Sequence, residues 1–275
     1  MSTAVTLPGS TQRRVQARAN GAHYRVMHWL PPGAAPAAGF PAVYVLDANA
    51  LFGTFVEAVQ RSSRRPDATG VVPMAVVGIA HDGDALFAEA LRRRDFTAGP
   101  PAHETVEGAV GGAQALLSFL ADELAPALRA ELPLDASRQT LFGHSLAGHF
   151  VLRALALRPG AFRTWAAVSP SIWWDAAGLR AALAAALPGE PQARVFMAAG
   201  EWEDAVPPWQ RTHPGLAQLV ARRAQRRMVG AAQDLAQELQ AWIGAERLLF
   251  RVFPEEDHAS VLMVAAQRAL RFSSL

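Results

Sequence analysis

The feature that most constrains the fold is a regular alternation of short runs rich in valine, isoleucine and phenylalanine with longer segments rich in alanine and leucine. The short runs have the length of β-strands, and the longer segments carry apolar residues at helical spacing. This alternation is typical of an α/β fold, in which a mostly parallel sheet has helices on both faces. The strands are predicted at residues 42–46, 74–80, 140–142, 165–168, 194–198 and 248–253, and the helices at residues 50–61, 107–130, 146–157, 176–186, 215–243 and 259–271.

The N-terminal part of the chain is predicted to add an antiparallel edge to this sheet. Segments near residues 14–18 and 23–30 alternate in polarity, as strands with one solvated face do. With 275 residues, of which 51% are hydrophobic and 18% charged, the chain can bury a full core. Because no Ser/Gly-rich linker interrupts it, residues 1–275 are predicted to form a single domain, with poor order expected within residues 1–20.

Charge and composition exclude several classes of protein. The 26 cationic residues, all of them arginine, nearly balance 24 acidic residues, and the formal charge of +2 favours no nucleic-acid partner. The absence of cysteine excludes disulfides, thiolate metal sites and a cysteine nucleophile. No apolar run approaches the roughly 18 to 20 residues of a membrane span, and the first twenty residues lack the apolar stretch of a signal peptide. We therefore expect no membrane partner and a cytoplasmic protein, or a periplasmic one if a leader has been removed.

Polar residues collect directly after each predicted strand. In open α/β sheets the ligand site lies beyond the carboxyl ends of the strands, so these residues are expected to converge. Two long connections, residues 81–105 and 201–214, are expected to border that site as active-site loops, the alternative being solvated surface loops. The pattern leaves open whether the helix at 215–243 is a lid or part of the scaffold.

The segment from Thr140 to Phe150 predicts a strand, a sharp turn and a helix, with Ser145 at the tip of the turn. A nucleophilic serine in this position adopts a strained backbone conformation and needs small neighbours, so that strand and helix can pass closely. Gly143 and Gly148 supply that room, although Ala147 occupies the last position of the usual G-x-S-x-G pattern. We therefore predict that Ser145 is a nucleophile; the alternative is a buried serine in a tight turn.

A serine hydroxyl needs a base near pH 7, and histidine has a suitable pKa. Among the eight histidines, His258 is the one that follows the last predicted strand, where a base is expected when the chain order is serine, acid, histidine. His144 and His149 lie beside the serine and are expected to pack against the pocket or line it. His258 is therefore the predicted base.

The predicted acid should follow the strand at 194–198, and Glu201, Glu203 and Asp204 all lie there. Its carboxylate would accept the second ring N–H of the histidine and stabilise the imidazolium. Glu203 is preferred, with Glu201 and Asp204 as open alternatives.

Two backbone amides are predicted to bind the oxyanion that forms during attack. One belongs to Leu146, directly after the nucleophile, and the other to the turn at residues 46–49. Asp47 is expected to anchor that turn through hydrogen bonds. This chemistry requires no metal and no cofactor.

Four motifs in order along the chain, YVLDANALF at 44–52, GHSLAG at 143–148, SPSIWWD at 169–175 and EDH at 256–258, resemble the putative-esterase family of α/β hydrolases. Within that family, the chain is most similar to esterases that cleave trilactone siderophores such as enterobactin, salmochelin and bacillibactin, over residues 20–272. The resemblance implies an α/β-hydrolase fold, Glu203 as the acid and Asn49 as the second oxyanion donor. Ala48 replaces a family glycine and should restrict the turn. Some siderophore esterases work with a serine–histidine pair alone, which would reduce the effect of replacing Glu203.

The segment RRRDFT at 92–97 is similar to an Arg-x-x-Asp-Tyr-Thr-Pro segment of the family, whose arginine lies near the catecholate groups. By this resemblance Arg92 binds substrate, because guanidinium pairs with anionic oxygens and stacks on aromatic rings. A solvated arginine loop is the alternative. Trp173 and Trp174 are expected to form an aromatic wall, the alternative being core packing.

Together these features predict a serine esterase that hydrolyses a small-molecule ester through an acyl-enzyme, with a ferric or iron-free catecholate trilactone siderophore as the preferred substrate. A general carboxylesterase and an acyltransferase of the same fold are the alternatives among enzymes. A hydrolase-fold module that only binds a ligand is the alternative of another class.

Overall fold

The computed structural model of the protein describes residues 5–189 and 192–275. Within these residues, eight strands form one sheet in the order β1-β2-β4-β3-β5-β6-β7-β8. β1 pairs with β2 and β2 with β4 in antiparallel fashion, and the remaining neighbours are parallel. The strands are β1 (Ser10–Gln16), β2 (His23–Trp29), β3 (Phe40–Leu46), β4 (Ala75–His81), β5 (Leu134–His144), β6 (Thr164–Val168), β7 (Arg194–Gly200) and β8 (Leu248–Phe253).

Helices cover both faces of the sheet, as the alternating pattern predicts. The α-helices are α1 (Ala48–Ser62), α2 (Pro66–Thr69), α3 (Glu89–Phe96), α4 (Ala113–Ser118), α5 (Ala125–Glu131), α6 (Leu146–Leu157), α7 (Ala176–Ala186), α8 (Leu216–Arg226), α9 (Met228–Ile243) and α10 (Val261–Ser274). A π-helical segment, Phe119–Leu124, joins α4 to α5, and short 3-10 turns lie at Ile172–Trp174, Glu201–Glu203, Pro208–Gln210 and Ala245–Arg247.

Two hydrophobic clusters, one on each face of the sheet, form the core. One is built mainly with α4, α5, α6, α7 and α9, and the other with α1 and α10. Every residue of β3 and β4 is buried, because a parallel strand covered on both faces has no solvated side. The predicted mostly parallel sheet with an antiparallel N-terminal edge is confirmed.

The segment at 81–105, expected as an irregular loop, contains the helix α3, so that expectation needs correction. The helix expected at 107–130 also differs, because it begins only at Ala113. Gly108 and Gly111 adopt positive φ angles of 90° and 94°, which are incompatible with a right-handed helix. The π-helical stretch lies just before Pro126, a residue without an amide hydrogen to donate.

The helix expected at 215–243 is two helices, and this is a second correction. The break lies at Arg227, which has a left-handed conformation with a φ of 44°. The carboxylate of Asp204 accepts the N–H groups of Val229 (3.1 Å) and Gly230 (2.9 Å), and so caps the start of α9 from another part of the chain. α9 buries Leu235 and Leu239 in the core, whereas every residue of α8 is at least partly exposed. Half of the expected helix is therefore scaffold and half is a surface element.

Poor order was expected within residues 1–20. Ser10–Gln16 form β1, whereas residues 1–4 lie outside the described part of the chain. Among the helices of the described residues, none is long and apolar enough to cross a membrane.

Candidate active site

Ser145 occupies a sharp turn between β5 and α6, as its sequence context predicts. Its backbone has a φ of 60° and a ψ of −119°, a strained conformation for a residue with a side chain. A Cβ atom on Gly143 would lie 2.4 Å from the carbonyl oxygen of Ala147, so glycine is required where strand and helix pass. The methyl group of Ala147 itself is fully buried in the core, and the departure from the usual pattern at this position is accommodated.

Ser145, His258 and Glu203 form one continuous hydrogen-bonded chain. His258 Nε2 lies 3.0 Å from Ser145 Oγ, and His258 Nδ1 lies 2.6 Å from Glu203 Oε2. The carboxylate is an acceptor, so Nδ1 carries the ring proton and leaves Nε2 free to accept the serine proton. The predicted residues are thus brought together at the carboxyl ends of β5, β7 and β8.

The structure distinguishes among the three carboxylates that follow β7. Glu201 accepts the backbone N–H of Glu255 at 2.9 Å, and Asp204 caps α9. Glu203, which is 4% exposed, is the one of the three that contacts His258.

Further contacts, which the sequence reasoning missed, hold Glu203 in place. Its Oε1 atom accepts the hydroxyl of Ser169 at 2.5 Å and the amide of Gly200 at 2.7 Å. Ser169 is fully buried and has a φ of 46°. The signal was available in the sequence, because Ser169 directly follows a predicted strand. These two donors hold the carboxylate in the orientation that reaches His258.

Gly200 also determines where His258 can lie. A Cβ atom at this position would lie 2.4 Å from the carbonyl oxygen of Glu256, so only glycine lets the loop after β8 approach the end of β7. His258 lies two residues further along that loop.

His144 and His149 are buried beside the serine, as expected for packing residues. His144 Nε2 donates to the carbonyl oxygen of His258 at 2.8 Å and so supports the loop that carries His258. Burial lowers the pKa of His144 to about 3 and that of His149 to about 4. Both imidazoles are therefore neutral near pH 7.

The two predicted oxyanion donors lie in the first turns of two helices. Leu146 is the first residue of α6 and Asn49 the second residue of α1, and amides in a first turn have no partner within their own helix. Ala48 begins α1, and the left-handed residue of this turn is Asp47, with a φ of 54°. The Asn49 side chain donates to the carbonyl oxygen of Ala85 at 2.9 Å and ties α1 to the loop after β4.

Arg92 lies at the site, but its guanidinium is bound to the protein. Its Nε lies 3.0 Å and 3.1 Å from the two oxygens of Asp47, and both side chains are buried. Burial raises the pKa of Asp47, and the positive charge of Arg92 opposes that rise. Asp47 thus anchors its turn as expected, and Arg92 acts first as its counter-ion.

We expect the substitution Arg92→Ala to lower the free energy of unfolding by about 3 kcal/mol, because it leaves a buried carboxylate without its partner. Denaturant titration of Arg92→Ala, and of the same change combined with Asp47→Asn, measures this effect. The double variant should regain part of the loss. If Arg92→Ala left the denaturation midpoint unchanged and raised the KM for substrate, the main role of Arg92 would instead be to bind substrate.

Two cavities adjoin Ser145 and His258, and both are lined in part by these residues and by Arg92. The larger, about 660 Å³, is here called the arginine chamber and is lined by arginines of α3 and α8 and by Trp173, Trp174 and Trp202. The smaller, about 380 Å³, is here called the apolar chamber and is lined by Leu51, Phe87, Leu262 and Met263 among others. The site can therefore hold a large polar group in one cavity and a smaller apolar group in the other.

The two tryptophans expected to form a wall differ in their surroundings. Trp174 is 4% exposed and donates its Nε1–H to the carbonyl oxygen of Gly99 at 2.9 Å, as a core residue does. Trp173 is partly exposed, and the guanidinium carbon of Arg226 lies 3.9 Å from the centre of its ring. Both tryptophans line the arginine chamber, and Trp173 is the more exposed of the two.

In the described part of the chain, no group of three or more His, Asp or Glu residues is arranged to hold a metal ion. The chemistry offered by the site is that of a serine, a histidine and a carboxylate. The sheet order, the strained serine after β5 and the histidine after the last strand together define an α/β hydrolase.

Comparison with known proteins identifies the family. A family model described as Putative esterase matches residues 17–242, and the chain belongs to this esterase family. The chain is 35% identical to the ferri-bacillibactin esterase BesA of Bacillus subtilis, over 99% of this chain and 92% of that protein. It is 32% identical to the siderophore enterobactin esterase of Emericella nidulans, over 90% of this chain and 86% of that protein.

Solved structures agree with the sequence comparison. Siderophore hydrolase EstB from Aspergillus nidulans matches with a TM-score of 0.85 at 27% identity, over 98% of this chain and 96% of that chain. The resemblance predicted from four short motifs is confirmed, and the relatives support an ester hydrolase.

Proposed function

We propose that this protein is a serine esterase that hydrolyses a catecholate trilactone siderophore through an acyl-enzyme. The observation that carries the reaction type is the chain of contacts from Ser145 Oγ through His258 to Glu203, at 3.0 Å and 2.6 Å. This is the arrangement that a serine needs to lose its proton during attack on an ester carbonyl.

In the proposed reaction, Ser145 Oγ attacks the carbonyl carbon while His258 Nε2 takes its proton. The amides of Leu146 and Asn49 stabilise the negative oxygen of the tetrahedral intermediate. His258 then gives the proton to the departing alkoxide, which leaves as an alcohol and yields the acyl-enzyme. A water molecule, deprotonated by His258, releases the acid and restores the serine.

The substrate class is supported by the relatives and by the shape of the site. The relatives are esterases or hydrolases named for bacillibactin, enterobactin and siderophores. The arginine chamber, at about 660 Å³, is large enough for a bulky acidic aromatic group, and Trp173 offers a ring surface. A catecholate trilactone combines an ester with aromatic rings and acidic hydroxyls, and so fits these features.

The test is a comparison of kcat/KM for a catecholate trilactone with that for p-nitrophenyl acetate. We expect the trilactone value to be at least about tenfold higher, because contacts remote from the reacting bond contribute binding energy to the transition state. A higher value for the simple ester would indicate a general carboxylesterase. Transfer of the acyl group to an added alcohol in preference to water would indicate an acyltransferase. If folded protein turned over neither ester, the remaining interpretation would be a hydrolase-fold module that binds a ligand without catalysis.

A further inference from the structure

The apolar chamber has no task in the proposed cleavage of a trilactone. A catecholate trilactone offers acidic aromatic rings and no long aliphatic chain, and the larger of the two cavities has room for it. A second cavity of about 380 Å³ nevertheless adjoins the same Ser145 and His258. Its size is within the range of small-molecule sites. The chamber therefore points to a second class of ester.

Large apolar side chains from three separate parts of the chain form the wall of this chamber. Leu51 of α1 and Leu262 of α10 are buried, at 2% and 6% exposed, whereas Phe87 in the loop after β4 and Met263 of α10 are 38% and 59% exposed. The guanidinium carbon of Arg92 lies 5.2 Å from the centre of the Phe87 ring and holds that ring in place. Covering the exposed side chains with another apolar group is favourable, so an apolar ligand suits the chamber.

Apart from the reacting residues, the polar groups that line the apolar chamber are either bound within the protein or exposed to water. The guanidinium of Arg92 is bound to the buried carboxylate of Asp47. His144, whose pKa burial lowers to about 3, is neutral near pH 7 and bonds to the backbone of His258. Glu89 is exposed and lies 3.5 Å from Nη1 of Arg92. An apolar chain can therefore enter without depriving a buried charge of its partner.

We propose that the apolar chamber is an acyl pocket that gives the protein a second activity, the hydrolysis of esters of unbranched aliphatic acids. This activity rests on the serine mechanism proposed above and is independent of the siderophore. Ser145 Oγ attacks the ester carbonyl, the bond from the carbonyl carbon to the alcohol oxygen breaks, and His258 passes the serine proton to the alcohol. Water then adds to the acyl-enzyme, the aliphatic acid leaves and Ser145 regains its proton.

The acyl chain, and not the alcohol, is assigned to this chamber because of what happens to each during the reaction. The acyl chain stays attached to Ser145 Oγ after the alcohol has left, while water must still reach the carbonyl carbon. The larger cavity, which polar side chains of several elements line, suits the departing alcohol and the arriving water. An acyl chain in the apolar chamber leaves that path open.

The experiment measures kcat/KM of the wild type for the p-nitrophenyl esters of acetic, butanoic and hexanoic acids. We expect the value to rise about fourfold for each added methylene, up to the length that the chamber holds, because each buried methylene contributes binding energy to the transition state. The value for the butanoate should therefore exceed that for the acetate by about tenfold or more. Lengthening the alcohol by the same number of carbons, in a series of alkyl acetates, should have a smaller effect.

Two variants change the size of the chamber in opposite directions. Met263→Trp adds bulk at an exposed lining position and should lower the butanoate to acetate ratio of kcat/KM by about fivefold or more. Leu262→Ala enlarges the buried part and should raise the hexanoate to butanoate ratio, with the unfolding midpoint measured to verify that the variant is folded. The matched control is Leu157→Trp, an equivalent change at an exposed residue that ends α6 and is not part of the chamber wall; it should leave both ratios unchanged.

The outcomes separate this inference from the function on which it rests. Equal values for acetate and butanoate in the wild type would refute the acyl pocket and leave the serine mechanism intact. A stronger dependence on the length of the alcohol than on that of the acid would also refute it. So would a ratio that Leu157→Trp lowers as much as Met263→Trp, since the effect would then not depend on the chamber. Folded protein that hydrolyses none of these esters and no trilactone would instead refute the serine esterase itself.

Discussion

Replacing Ser145 with alanine is expected to lower kcat for any ester substrate by about 10⁵-fold or more, because the variant has no nucleophile with which to form an acyl-enzyme. The fold should persist, since alanine keeps the Cβ atom and removes one partly buried hydroxyl. Both steady-state turnover and labelling by a fluorophosphonate probe should disappear together. Circular dichroism and the unfolding midpoint would verify that the variant remains folded.

A matched control for this change is Ser137→Ala. Ser137 is exposed, lies near the opposite end of β5 and bonds to Asp135, away from the reacting atoms. It should keep both turnover and labelling. Labelling that survives Ser145→Ala would place the nucleophile at another residue and contradict the proposed mechanism.

The substitution Glu203→Gln is expected to lower kcat by about 10⁴-fold, the loss seen when the acid of such a triad becomes an amide. The side-chain volume barely changes, but Glu203 Oε2 would no longer hold the proton of His258 Nδ1 or stabilise the imidazolium. The loss should appear in kcat with a smaller change in KM, because Glu203 acts on the transition state through His258.

Glu201→Gln is the control, since Glu201 lies two residues earlier in the same turn and bonds to the backbone of Glu255. It should change kcat by less than about twofold. If Glu203→Gln lowered kcat by less than about tenfold, Ser145 and His258 would suffice as a pair, which the family resemblance leaves open. An equal loss in both variants would point to damage of the shared turn.

The residues proposed as nucleophile and base could be singled out from the sequence because their signals are local. A strand, a serine between small residues and a helix are contiguous from Thr140 to Phe150, and His258 follows the last strand. The order of strands then places both residues at one edge of the sheet. The choice among Glu201, Glu203 and Asp204 was not decided by local pattern, since three neighbouring carboxylates look alike until a distance is known.

Other features depended on contacts between distant parts of the chain. The expected helix at 215–243 is broken, and its second half begins where the carboxylate of Asp204 accepts the N–H of Val229, 25 residues further along the chain. The sequence suggested Arg92 as a substrate ligand. In the structure its guanidinium is instead bound to the buried carboxylate of Asp47, which lies 45 residues away along the chain. Neither contact can be recognised from the hydrophobic periodicity, because Asp204 and Asp47 lie outside the segments that they affect.

By itself, the sequence determined the layered α/β fold, the serine at its turn and the histidine after the last strand. These follow from hydrophobic periodicity and from chain order, both of which are properties of short segments. Only the tertiary structure decided which carboxylate reaches His258 and that Arg92 is paired with Asp47. Hydrogen bonds and ion pairs depend on distances of a few ångströms between residues far apart in the chain, and packing sets those distances.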